Sequence, residues 1–166
     1  MEKKVLVING AGGVGKDTLC DLVAKHFRVM NVSTIDPIKE IALQCGWHGE
    51  KDDRARKFLS DLKRLTVEYS DFPTVWARGQ YERFMESDLE VMFMHIREPE
   101  EIDKFVRATE GRAKTLLVRG GSRMKKSSYG NVSDDLVENY SYDLYFTNDK
   151  ALDETEREFV ELIKKA

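Results

Sequence analysis

The chain has 166 residues, with 27 Lys and Arg against 30 Asp and Glu and a formal net charge of −3. That length fits one domain that needs no disulfide or metal staple, and 41% apolar residues exclude a disordered chain. Mild acidity argues against a nucleic-acid partner, and the longest apolar runs, residues 5–8 and 91–94, are far short of a membrane span.

The opening Met-Glu-Lys-Lys and its short apolar run lack the pattern of a secretory signal. Cys20 and Cys45 have no CxxC spacing and fit a reduced, cytoplasmic protein. Residues 4–9 read as a buried strand that ends at Gly10. Leu19, Leu22, Val23 and Phe27 recur at helical spacing and predict a helix over 15–27. A second strand spans 29–35. Asp36 and Pro37 suit the N-cap and first position of a helix that runs to about Cys45. Residues 51–70 form the clearest helix, with Ala55, Phe58, Leu59, Leu62, Leu65 and Tyr69 on one face. Pro73 opens a further helix holding Trp76, Tyr81 and Phe84. A third strand covers 89–96, a helix 98–108 and a fourth strand 114–118. Residues 119–133, polar, basic and glycine-bearing, read as a loop. A fifth strand over 143–147 precedes an amphipathic helix over 150–165.

Strands alternating with helices predict an α/β fold, a parallel sheet with helices on both faces. Ligands of such folds bind at the carboxyl ends of the strands. There the first strand runs into Gly10-Ala11-Gly12-Gly13-Val14-Gly15-Lys16-Asp17-Thr18. Gly10-x4-Gly15-Lys16 is phosphate-loop (Walker A) spacing. Glycines let successive N–H groups turn toward an anion, the helix N-terminus adds its dipole, and Lys16 adds a charge for the outer phosphates. The usual motif has Ser or Thr after the lysine to hold Mg2+. Here Asp17 takes that place and Thr18 follows, so both are the metal candidates. Asp17 is expected toward the ion or its waters and Thr18 toward a phosphate. The plainer reading of Asp17 is an acid favoured by the helix dipole.

Gly15-Lys16-Asp17-Thr18 resembles the phosphate loops of nucleoside monophosphate kinases, where Gly-Lys-x-Thr is common. Further on, Asp36-Pro37-Ile38-Lys39-Glu40, Gly46-Trp47-His48-Gly49-Glu50-Lys51-Asp52 and Arg56-Lys57-Phe58-Leu59 are similar to runs found in that order in phage-type deoxynucleoside monophosphate kinases. The family's Asp-Val-Arg-Phe-x-Asn-Glu is matched by His95-Ile96-Arg97-Glu98-Pro99-Glu100-Glu101. Its Tyr-Asp-x-x-Ile-x-Asn is matched by the stretch from Tyr142 to Asn148. Only the phosphate loop is a sharp motif.

The resemblance implies a three-layer P-loop nucleoside kinase fold with a five-stranded parallel sheet in the order 2-3-1-4-5. It implies one domain over 1–166: a core of 1–35, 89–118 and 142–166, an acceptor-binding helical insert over about 36–88, and a short lid over about 119–135. It also implies transfer of the ATP γ-phosphoryl group, with Mg2+, to a (deoxy)nucleoside monophosphate. Gly10 to Thr18 would hold the ATP phosphates and Asn148 would lie near the adenine. Asp36, Arg54, Arg56 and Trp76 would serve the acceptor. Arg97 would sit between the substrates, and Arg119, Arg123, Lys125 and Lys126 would cover the transferred group. Lys16, Arg97, Arg119 and Arg123 are then the candidate catalytic residues.

Plainer readings stand beside these. Arg54, Arg56, Lys63 and Arg64 suit a solvated helix face paired with neighbouring acids, Trp76 suits packing, and Asp36 a helix cap. His95 stands where the family has an acid that organises Mg2+, and neutral His is a poor partner for that ion. Asp17, Glu98 or Glu101 would then have to compensate. The alternatives are a related small-molecule kinase, such as one acting on dephospho-coenzyme A, and a nucleotide-binding protein without phosphotransfer. The expected partners are small nucleotides, with no nucleic acid or membrane, for a monomer or homodimer.

Overall fold

A computed structural model describes residues 2–121 and 137–166. In chain order its elements are β1 (Lys4–Asn9), α1 (Lys16–Ala24), β2 (Val29–Ser33), α2 (Asp36–Gln44), α3 (Asp53–Ser70), α4 (Phe72–Glu86), β3 (Val91–His95), α5 (Pro99–Ala108), β4 (Lys114–Gly120), a 3-10 turn (Val137–Asn139), β5 (Leu144–Asn148) and α6 (Leu152–Lys165). The five strands form one parallel sheet in the order β2-β3-β1-β4-β5.

The strand residues alternate between two cores, as the period of two requires. Leu6 and Ile8 of β1, with Phe93 of β3, pack under α1 and α6 against Leu19, Val23, Phe159 and Ile163. Val5 and Val7, with Met92 and Met94, pack against Ala77, Phe84, Ile102 and Phe105 of α4 and α5. A sheet covered on both faces needs apolar residues facing both ways, and residues 5–8 of β1 and 91–94 of β3 supply them. Among the described residues no helix is long and apolar enough to cross a membrane.

Several boundaries differ from those expected. The first helix ends at Ala24 rather than residue 27. Asp36 is the first residue of α2, not its cap; its carboxylate turns back and accepts from the Ser33 N–H at 2.8 Å. α3 starts at Asp53 rather than residue 51, and Asp52 caps it by accepting from the Ala55 N–H at 2.8 Å. The apolar face expected of α3 is only partly covered. Ala55 is buried, Leu59 and Leu62 are half-buried, and Phe58, Leu65 and Tyr69 are exposed. The reason is position: α3 packs on α2 and α4, so a second helix layer, not the sheet, is what it covers. β4 runs two residues beyond expectation because Arg119 and Gly120 pair with Thr147 and Asn148 of β5. Those two residues therefore belong to the sheet and not to the loop.

Candidate active site

Between β1 and α1 the chain curls through Gly13 at φ 84° and Gly15 at φ 88°, a left-handed conformation that glycine adopts without steric cost. Gly10 is required for a different reason. A Cβ there would stand 2.5 Å from the Val118 carbonyl oxygen of β4. Gly15 is the residue before α1, so the free N–H groups of the first helical turn open at the loop. Gly12 to Thr18 and Arg97 line one cleft of about 280 Å³. The Lys16 ammonium donates to the Gly10 carbonyl at 2.6 Å.

The loop is braced from behind. The Asn9 side chain is fully buried; its Oδ1 accepts from the Gly10 N–H at 2.9 Å. Its Nδ2 donates to the Arg97 carbonyl at 3.1 Å and to the Tyr142 hydroxyl at 2.9 Å. That hydroxyl donates in turn to the Val137 carbonyl at 2.7 Å. Asn148, at the end of β5, donates to the Val14 carbonyl at 3.0 Å. One asparagine thus ties the loop to β3 and the other to β5. Asn9 and Tyr142 were not singled out for this role by sequence. The available signal was an amide closing an apolar strand directly before the first glycine.

The residues expected on the acceptor side divide between the ends of β2 and β3 and the outer helices. Asp36 lies just beyond β2 and Arg97 just beyond β3. His95 closes β3 opposite Ile8 and Ser33. Its Nε2 lies 2.6 Å from Asn31 Oδ1 and 3.8 Å from Cys20 Sγ. Burial, with the charges of Lys16 and Arg97 adding to it, pushes its pKa down from 6.5 to about 4. The ring is therefore neutral at neutral pH, and Nε2 donates to the Asn31 oxygen. Burial and the nearby Asp17 and Asp21 push the Cys20 thiol well above its ordinary range, which keeps it protonated and unreactive.

The remaining candidates divide. Arg54 and Arg56 are exposed on the first turn of α3 and do not line the cleft; Arg56 lies 3.9 Å from Asp53. Trp76 packs against the core under α4. Arg119 forks onto both Glu138 oxygens at 2.9 and 3.1 Å, with its guanidinium 4.8 Å from the Tyr145 ring centroid. Arg123, Lys125 and Lys126 lie outside the described residues, as does most of the expected lid. Glu101 is buried, bonded to Lys104 at 2.9 Å and Thr74 at 3.1 Å, away from the loop. Lys63, expected in solvent, is turned inward with 12% of its side chain exposed, and meets Glu98 at 2.8 Å. Nothing in its sequence context marked it out from the other basic residues of α3.

Mg2+ prefers oxygen ligands and retains several waters, so one or two protein oxygens beside nucleotide phosphates suffice. Asp17 and Thr18, both lining the cleft, are such donors. Among the described residues no cluster of three His, Cys, Asp or Glu side chains could hold a metal by itself. The donor set therefore fits an ion that arrives with a nucleotide.

No family model matches this sequence, and no curated protein does either. Solved structures do match. One is a protein of Chloroflexus aurantiacus provisionally named a kinase, with 12% identity, TM-score 0.52, and coverage of 99% of this chain and 98% of that one. Another is a sugar kinase of Janibacter, with 12% identity, TM-score 0.51, and coverage of 98% and 92%. A glycine loop between β1 and α1, a sheet in the order 2-3-1-4-5 and these neighbours together make the fold that of the P-loop kinases.

Proposed function

We propose that this protein transfers the γ-phosphoryl group of ATP, with Mg2+, to a nucleoside monophosphate. The observation that carries the reading is the cleft in which the phosphate loop and Arg97 face one another. Phosphoryl transfer requires in-line positioning and cations around the equatorial oxygens, with little covalent chemistry from the protein. In this reading the N–H groups of Gly12 to Thr18 bind the ATP phosphates. Lys16 leaves the Gly10 carbonyl for the outer phosphates. Arg97 stabilises charge on the group in transit, its rigid fork matching two phosphate oxygens. Asp36 orients the acceptor. Asp17 and Thr18 would hold the magnesium ion, which when bound supplies positive charge to the phosphate oxygens. Asn9 and Asn148 keep the loop in shape, so no reorganisation is needed at the moment of transfer.

A second reading, a nucleotide-binding protein without transfer, is favoured by His95. A neutral ring held by Asn31 replaces an acid where the resembling family has one. The test is ADP release from Mg-ATP with each common ribo- and deoxynucleoside monophosphate, for the native protein and Lys16→Ala. Acceptor-dependent turnover, reduced at least about a hundredfold in the variant, supports the kinase reading. ATP binding with no turnover on any acceptor supports the second.

A further inference from the structure

Lys63 occupies an unusual place for a residue of an outer helix. Its side chain is 12% exposed, and its ammonium contacts both Glu98 oxygens, at 2.8 and 3.0 Å, and the Thr34 hydroxyl at 3.3 Å. Thr34 is itself buried at the end of β2, its N–H and hydroxyl both bonded to the His95 carbonyl. Glu98 follows Arg97 directly and is the residue before α5, without a side-chain capping bond. One ammonium on α3 therefore joins the helical insert to the carboxyl ends of β2 and β3, beside the arginine that lines the phosphate cleft.

Glu98 has no obvious place in an anion-binding site. A carboxylate one residue from Arg97 adds negative charge at the strand end where an anion would bind, and with 31% of its side chain exposed that charge is only partly screened by water. A cation on both of its oxygens cancels that field. We propose that Lys63 is a positioning residue for Arg97: by neutralising Glu98 it keeps the β3 end electropositive toward the anion in the phosphate loop. The inference rests on the reading of Gly10 to Thr18 as an ATP-phosphate site.

The charge role and a purely structural one differ in sign. Both Lys63→Met and Glu98→Gln break the same pair. If the pair only braces the fold, both variants weaken ATP binding, in step with their loss of stability. If Lys63 acts by neutralising Glu98, the two move in opposite directions. The experiment measures the Kd of Mg-ATP by calorimetry for the native protein, Lys63→Met, Glu98→Gln, the double variant and Lys63→Arg, with a thermal melt for each. Lys63→Met should bind about five- to tenfold more weakly, and Glu98→Gln equally or up to about threefold more tightly. The double variant, which removes both charges of the pair, should return to within about twofold of the native value, and Lys63→Arg should stay near it. If Lys63→Met fails to fold, the sign for Glu98→Gln and the recovery in the double variant decide. Weaker binding in both Glu98→Gln and the double variant would overturn the proposal while leaving the ATP site intact. Failure of the native protein to bind Mg-ATP would overturn the ATP site and the proposal with it.

Discussion

At the scale of single residues, His95 contributes to the response to acid. Its pKa in the fold is about 4, against 6.5 in the open chain. Between these values the unfolded chain binds the proton and the folded one resists it, so stability rises with pH across the window and is level above it. Acidification from about pH 7 toward pH 4 should therefore cost on the order of 1–3 kcal/mol from this residue. Urea midpoints at about pH 7.5 and 5 should fall further in the native protein than in His95→Gln, whose amide does not titrate in that range. Equal falls would mean that the ring is better hydrated than its packing against Cys20 and Asn31 implies.

At the scale of elements, the glycine loop keeps its shape because its neighbours are tied behind it. The Tyr142 hydroxyl serves both the Asn9 amide and the Val137 carbonyl, inside the core. Tyr142→Phe keeps the ring and deletes both bonds, which should lower the unfolding free energy by about 1–3 kcal/mol in urea titrations. Much of this level was legible in the sequence. The runs over 5–8 and 91–94 are apolar at every position because both sheet faces are covered, and the glycine turn from Gly10 to Lys16 between β1 and α1 was legible from its spacing and its place after a strand and before a helix. Other elements were not legible, for identifiable reasons. Arg119 and Gly120 are poor strand formers, and only pairing with β5 carries β4 through them. The inner face of α3 was misjudged because helical spacing says which residues share a side, but not which side finds a neighbour. Phe58 and Leu65 were left in solvent while Lys63 went inside. Asp36 supports α2 through a bond to Ser33 that no periodicity announces.

At the scale of the whole molecule, the two cores share the same strands, and the insert rests on one of them through Ala77, Phe84 and Trp76. Losing that contact would bare the face of β3 that carries Met92 and Met94. The insert and sheet should therefore unfold together. In a Trp47→Phe variant, Trp76 fluorescence and far-ultraviolet circular dichroism should trace one coincident urea transition. A separate, earlier fluorescence change would mean that the insert detaches first. The braces divide along the same line. Asn148 anchors the glycine loop to β5, and Gly10 presses on β4, whereas the insert lies between β2 and β3 in the chain and is pinned to their ends through Lys63. On the proposed reading, donor and acceptor sites thus stand on opposite halves of one sheet and meet at Arg97. In the proposed kinase, residues 36–88 other than Lys63 could then be remodelled to suit a different acceptor with little effect on the half of the sheet that carries the glycine loop.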